Sequence, residues 1–171
     1  GVYGPAKNTT RADFMNMFMI NFFGTLNVME TALPQMCSRR AGVIVNIVSV
    51  AAKYGVPYLG AYGASKAALA TLSQSLRAEL SGSGIKIMQI YPGYVQTPFF
   101  AHEKKVGGAR RPDGPFTSAD KVARKIISAI QQDKNEVILS PEGKLQNFVQ
   151  KYLPWLVDPS MQIIANRLKE A

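Results

Sequence analysis

Cysteine and histidine are almost missing from this chain, with one of each in 171 residues. No internal disulfide can form, and a Cys/His metal site cannot be assembled. Cys37 reads as a small apolar filler at a helix end, because a reactive thiol needs a basic neighbour and His102 is far away in sequence. His102 sits in the polar run His102-Glu103-Lys104-Lys105 and reads as a surface loop residue. No histidine is then left to activate a serine, which a hydrolase triad requires. Acidic residues are also scarce, 11 against 20 basic ones, for a net charge of +9. That balance permits attraction to phosphates, acidic ligands or anionic membranes. The basic residues are spread along the chain, with one cluster from Lys104-Lys105 to Arg110-Arg111, and no nucleic-acid motif accompanies them. No nucleic-acid partner is expected. No apolar run approaches the ~18–20 residues that cross a membrane. No secretory signal opens the chain. Internal repeats, low-complexity tracts and a linker between domains are absent too, so residues 1–171 are expected to form one domain. A cytoplasmic setting is expected, with peripheral membrane contact by the basic tail as an open alternative.

What is present is a 47% hydrophobic chain with clear periodicity. Thr10 with Asp13 resembles a capping box and opens a helical pattern running to about Met36. Its apolar face is wide, which predicts burial against a sheet or a partner helix. Asn21 interrupts one apolar stripe and reads, on periodicity alone, as a buried asparagine bonded to nearby backbone at a kink. Residues 38–42 read as a turn. Val43 to Val48 is a β-branched run with Asn46 as its one polar member, as expected for a strand covered on both faces. A helix is predicted over about 61–81, then a strand over 85–91 stopped by Pro92-Gly93. Strand, helix and strand with short links make one parallel βαβ unit. Residues 94–116 carry no convincing period and many Gly, Pro and charged residues, which suits a lid or binding loop. Ser118 caps a helix from about Ala119 to Gln132, a short strand follows at 136–139, and 141–171 form a helical tail broken at Pro154 and near Pro159.

The stretch from Ser49 to Lys66 carries the chemistry. Tyr62 and Lys66 are four apart, which puts them one turn apart on one helix face. Ser49 ends the preceding strand and can face them. A phenol with its ordinary pKa of about 10 is a poor base at neutral pH. A nearby ammonium favours the phenolate, so Lys66 is expected to draw the Tyr62 pKa down. Tyr62 would exchange a proton with a substrate oxygen that Ser49 holds in place. Asn21 could support a water path from Lys66 to solvent. A proton shuttle at a carbonyl or alcohol oxygen needs a second process at carbon, most simply hydride transfer, and that needs a cofactor.

The combination is more specific than the Tyr/Lys pair. Ser49 lies thirteen before Tyr62, Tyr62-Gly63-Ala64-Ser65-Lys66-Ala67 follows, and Tyr91-Pro92-Gly93-Tyr94-Val95-Gln96-Thr97 ends the next strand. Asn21 stands in Asn21-Phe22-Phe23-Gly24. Together these residues resemble the short-chain dehydrogenase/reductase family over nearly all of Gly1 to about Leu139. The resemblance implies an α/β fold with a doubly wound, parallel, Rossmann-like sheet. It implies an oxidoreductase moving a hydride between NAD or NADP, the latter slightly favoured, and a small carbonyl or secondary alcohol. By that resemblance Tyr62 is the acid/base, Lys66 binds the nicotinamide ribose and lowers the tyrosine pKa, Ser49 orients substrate and Asn21 is the helix-borne asparagine. Asn46 is similar to the family's structural asparagine. Pro92, Gly93, Val95 and Thr97 match its segment at the nicotinamide and diphosphate end. Gly1 is similar to the last glycine of Asn-Asn-Ala-Gly, on the cofactor side. Tyr94 joins Ser49 and Tyr62 as a substrate contact, and the loop after Thr97 is similar to the family's lid. The helical tail suggests a lipophilic substrate, and the long helix pair suggests a homo-oligomer.

The family's Thr-Gly-x-x-x-Gly-x-Gly phosphate turn is absent from this chain. The expectation is an incomplete sheet that lacks about 90 residues of βα units at roughly 30 per unit. It would carry the substrate half of the enzyme and one open strand edge. The rival expectation is an inactive piece that acts only by helix-mediated association.

Overall fold

A computed structural model describes residues 1–108, 111 and 116–169 of the chain. Its elements in order are β1 (Val2–Tyr3), α1 (Arg11–Phe18), α2 (Gly24–Arg39), β2 (Gly42–Ile47), α3 (Gly60–Glu79), β3 (Ile85–Tyr91), β4 (Val95–Gln96), β5 (Lys104–Lys105), β6 (Thr117–Ser118), α4 (Ala119–Gln131), β7 (Glu136–Ile138), α5 (Pro141–Tyr152) and α6 (Val157–Leu168). The main sheet has the order β2-β3-β7, and both pairings are parallel. Gly42 to Ile47 pair in register with Ile85 to Ile90, and Gln89 to Tyr91 pair with Glu136 to Ile138. Parallel neighbours need a crossover, and α3 supplies the first one. A short parallel ladder of β1 with β5 ties the 94–118 region to the start of the chain, and another of β4 with β6 joins the two ends of that region.

The two faces of β3 are packed differently. Met88 and Ile90 pack with Ala129 and Leu139, and Val45, Val122, Ile126 and Val137 surround that cluster, so α4 covers this face. On the other face the Gln89 side chain reaches α3, donating from Nε2 to the Ala70 carbonyl, and Arg77 Nε donates to the Ile87 carbonyl at 2.9 Å. Asn46 points the same way. It is buried, and its Nδ2 donates to Ser73 Oγ at 2.8 Å, while Ser73 donates to the Leu69 carbonyl at 2.7 Å. A buried amide costs free energy unless it is paired, so this chain of bonds fixes how α3 sits on the sheet.

Several expectations change here. The long N-terminal helix is not continuous. A π-helical turn over Met19–Phe23 separates α1 from α2, and α2 runs on through Pro34 to Arg39. The turn expected at 38–42 is shortened to its end, where Arg40 takes the left-handed conformation at φ 50°. Cys37 is exposed, not an apolar filler. The helix near Pro159 is unbroken because Pro159 falls in the first turn of α6, where its missing N–H has no intrahelical partner to lose. The Thr10/Asp13 capping box is present in full, with Asp13 N donating to Thr10 Oγ1 and Thr10 N donating back to Asp13. β2 is not covered on both faces. Val43 and Ile47 are 45% and 44% exposed, because α4 reaches only as far as Val45 and the far edge of β2 has no neighbour among the described residues. Met15, Met19 and Val28 also stand exposed, so the wide apolar face of α1 and α2 is only partly used. No helix among the described residues is long and apolar enough to cross a membrane.

Leu69 is 1% exposed at the centre of α3. Leu69→Ala is expected to lower the unfolding free energy by about 2–5 kcal/mol in urea melts. Asn46→Ala is expected to cost about 1–3 kcal/mol. Adding Ser73→Ala to it should cost less than the sum of the two, because both changes remove the same bond.

Candidate active site

The C-terminal ends of β2 and β3 deliver the site. Beyond β2 the chain stays bonded to its neighbour, with Val48 N donating to the Ile90 carbonyl at 2.8 Å and Val50 N to the Pro92 carbonyl at 3.0 Å. Ser49 lies between these two bonds, buried and extended at φ −176° and ψ 154°. Its Oγ accepts from Ala51 N at 3.2 Å and so caps a short 3-10 turn over Val50–Ala52. The first turn of α3 lies directly against that turn. A Cβ on Gly63 would stand 2.8 Å from the Ala51 carbonyl oxygen, so glycine is what permits this approach. Tyr62, next to that contact, is thereby brought to Ser49, near enough for the serine side chain to act on the phenol.

Lys66 lies one turn further along α3. Its Nζ donates to the Ile47 carbonyl at 2.9 Å, at the end of β2. It also lines a groove of 580 Å³ that runs along the open edge of β2, with Gly24, Thr25, Asn46 and Ile47 among its walls. Burial pushes the Lys66 ammonium below its ordinary pKa. Burial pushes the Tyr62 phenol above its ordinary pKa, and the Ser49 side chain pulls weakly the other way. The expectation that Lys66 draws the tyrosine down is therefore not met. The ammonium is engaged with the end of β2, and loss of water around the phenol is the larger effect.

Asn21 lies in the π-helical turn, and its Nδ2 donates to Ser65 Oγ at 3.0 Å, which in turn donates to the Tyr62 carbonyl at 2.8 Å. The Asn21 carbonyl accepts from Thr25 Oγ1 at 3.0 Å. Asn21 is thus tied to the backbone of the Tyr62 turn, not to Lys66. The helix is interrupted where the stripe is broken, but Asn21 is half-buried and its amide bonds a side chain of α3 instead of nearby backbone. Ser65, fully buried, is the link that periodicity did not single out. Its position three after Tyr62 was the available signal.

Gly1 is drawn to the loop after Thr97, its carbonyl accepting from Lys104 N at 2.9 Å. A Cβ there would meet the Phe99 ring at 3.0 Å. Pro92 is buried, and Gly93 packs against Ser140, 3.0 Å from where a Cβ would stand. Val95 pairs with Thr117 in the β4–β6 ladder, and Thr97 is exposed ahead of a 3-10 turn over Pro98–His102. The ring of Tyr94 contacts Phe100 and Phe116, with centroids 6.0 and 5.8 Å apart, and burial raises its pKa. Phe99, missed at the level of sequence, stacks towards Tyr62 at 5.9 Å between centroids. No spacing rule would have found it. The basic cluster is divided: Lys104, Lys105 and Arg111 are placed, while Arg110 and residues 109 and 112–115 of the expected lid lie outside the described residues.

A family model described as short chain dehydrogenase matches residues 1–106. A dehydrogenase/reductase SDR family protein 7-like of Anopheles gambiae is 34% identical over 145 residues, covering 82% of this chain and 46% of that protein. An uncharacterized oxidoreductase, YbbO, of Escherichia coli is 38% identical over 138 residues, covering 75% of this chain and 51% of its own length. The chain spans about half the length of the curated relatives it matches. Among solved structures, a short-chain dehydrogenase from Streptomyces avermitilis superposes with a TM-score of 0.76 at 24% identity, covering 98% of this chain and 68% of that one. One from Burkholderia cenocepacia, solved in complex with NADP, has a TM-score of 0.79 at 20% identity over 94% of this chain and 65% of its own. At those identities the superpositions establish the fold, a Rossmann-like parallel α/β sheet of which this chain forms part. With the sequence matches they lead to one assignment: the chain belongs to the short-chain dehydrogenase family.

Proposed function

We propose that the protein is an NAD(P)-dependent oxidoreductase acting on a carbonyl or secondary alcohol, with Tyr62 as the group that gives or takes the proton. The observation that carries this reading is the Tyr62 phenol set beside Ser49 at the mouth of the sheet with Lys66 one turn away, in a chain of this family. Ser49 and Tyr62 would share the substrate oxygen, the serine holding it and the phenol exchanging a proton with it. Because burial keeps Tyr62 protonated, it is ready to donate in the reductive direction.

The residues present fit the ribose end of a nicotinamide nucleotide. An ammonium has three donors, and Lys66 uses one on Ile47, which leaves two for a ribose diol beside the open groove. A bound nicotinamide would supply or accept the hydride. A second positive charge close to the phenol would oppose the effect of burial and bring the phenolate into reach for oxidation. The diphosphate end of such a nucleotide has no glycine-rich turn in this chain to hold it.

A second reading rests on the exposed methionine and valine side chains of α1 and α2, which suit helix-mediated association between copies. If that face holds copies together, Met19→Glu with Val28→Glu should turn an oligomer into a monomer in light scattering. An unchanged mass would dismiss this surface.

Tyr62→Phe in the full-length polypeptide is expected to lower turnover about 10²–10⁴-fold while NAD(P)H still binds by fluorescence titration. Unchanged turnover across a carbonyl panel would remove Tyr62 from the chemistry. The raised phenol pKa sets the pH profile. Reduction needs the protonated form, so its rate should stay level from about pH 6 to 9 and fall only above that range. Oxidation needs the phenolate and should rise with pH across the same span. Steady-state rates in both directions test the sign.

A further inference from the structure

Aromatic rings run in contact from Tyr62 outwards. Tyr62 meets Phe99 at 5.9 Å between centroids, Phe99 meets Phe100 at 5.3 Å, and Phe100 meets Phe116 at 5.6 Å. Tyr94 closes the group against Phe100 and Phe116. A substrate that brings its carbonyl to the Tyr62 hydroxyl must displace or slide along these rings. Apolar contacts given up in that way are replaced without loss only by an apolar ligand.

The charges beside the rings support the same selection. Arg111 lies over the rings of Phe100 at 4.2 Å, Tyr3 at 4.7 Å and Tyr94 at 5.8 Å. A free guanidinium in that position would receive a substrate carboxylate through two parallel hydrogen bonds. It is not free, because the Glu103 carboxylate pairs with it, and the Glu103 side chain is 1% exposed. Lys104, next in the chain, is paired with Asp13 at 2.7 Å on the exposed side, and that bond holds the Asp13 carboxyl below its ordinary pKa. Lys53, just past the Ser49 turn, is closed by Glu136 at 2.5 Å. At these rings an arriving carboxylate would meet a compensated arginine and the like charge of Glu103, and would give up its water without gaining the paired guanidinium.

Resting on the oxidoreductase reading, we propose that the site takes an uncharged, apolar carbonyl compound and that Glu103 sets this specificity by cancelling the charge of Arg111. Glu103 is then a selectivity residue that acts through Arg111 and has no part in proton transfer. Its removal leaves a desolvated guanidinium against the rings, which an acidic substrate would neutralise.

The test uses the full-length polypeptide and two matched pairs of ketones: acetophenone with 4-acetylbenzoate, and 2-octanone with 7-oxooctanoate. Binding is measured by calorimetry, and turnover separately with NADH and NADPH. The neutral member of each pair is expected to bind about 100-fold more tightly. Glu103→Gln is expected to narrow that ratio by about tenfold through tighter binding of the carboxylate, and Glu103→Gln with Arg111→Leu to restore it. Equal binding within a pair, no binding of either neutral ketone, or an unchanged ratio in a folded Glu103→Gln variant overturns the proposal. Should Glu103→Gln not fold, the apolar double variant Glu103→Leu with Arg111→Leu must keep the neutral preference of the parent, and its loss is equally decisive against the proposal. A neutral preference in binding with no turnover of any ketone would overturn the oxidoreductase reading and leave the specificity standing. Equal turnover and equal binding within each pair would do the reverse.

Discussion

The parallel ladder between β2 and β3 is the constraint from which the rest of this structure follows. Two parallel neighbours cannot be joined by a hairpin, so the chain must cross over the sheet, and α3 is that crossover. The ladder continues past the end of β2 through the backbone bonds of Val48 and Val50 to Ile90 and Pro92. Ser49 is therefore held on both sides by sheet-type bonds while its buried side chain caps the next turn and faces the start of α3. The same crossover returns the start of α3 to the mouth of the sheet. Tyr62 meets Ser49 there for a topological reason, not because of any attraction between the two.

Buried and half-buried polar side chains set the position of α3 on that ladder. Asn46 and Ser73 fasten its middle, Gln89 and Arg77 its later turns, and Asn21 with Ser65 its beginning. Each is an amide, a hydroxyl or a guanidinium whose bond partners lie in another element or in helix backbone. Apolar packing alone tolerates sliding of a helix along a sheet, while an unpaired buried amide does not. The π-helical turn has a place in this arrangement. It puts Asn21 where its amide reaches α3, just before α2 runs beside the edge of β2.

The electrostatics at the mouth differ from the pattern that spacing suggests. Tyr62 and Lys66 share a helix face, and a lysine one turn from a tyrosine ought to lower its pKa. In this chain the ammonium is held by the last carbonyl of β2, and burial weighs on both groups in opposite directions. Both shifts favour uncharged groups, as expected of a partly desolvated cleft. The aromatic side chains around Phe99 and the compensated Arg111 extend that low-polarity environment away from the tyrosine.

Much of this was legible along the chain, for local reasons. The β-branched run before Ser49, the period of α3, the stop at Pro92-Gly93 and the caps at Thr10 and Ser118 each depend on a few neighbouring residues, and each lies where periodicity or capping chemistry puts it. The family resemblance was equally a matter of short motifs at fixed spacing, and the parallel fold followed from it. What was not legible depends on partners distant in sequence. Val43 and Ile47 look like residues of a strand buried on both faces, yet they are exposed because no neighbour covers that edge among the described residues. Asn21 reads as a locally bonded asparagine, yet its amide bonds Ser65, 44 residues away. The direction of the Tyr62 pKa shift depends on how much water the surrounding elements remove, and no spacing encodes that. The sequence by itself therefore determined the main helices after Ser49, the three strands of the main sheet with their parallel order and the residues that could do chemistry, but not the π-helical break or the short strands β1, β4, β5 and β6. Only the tertiary structure decided which of those residues meet and in what dielectric, because burial and long-range pairing belong to the assembled chain.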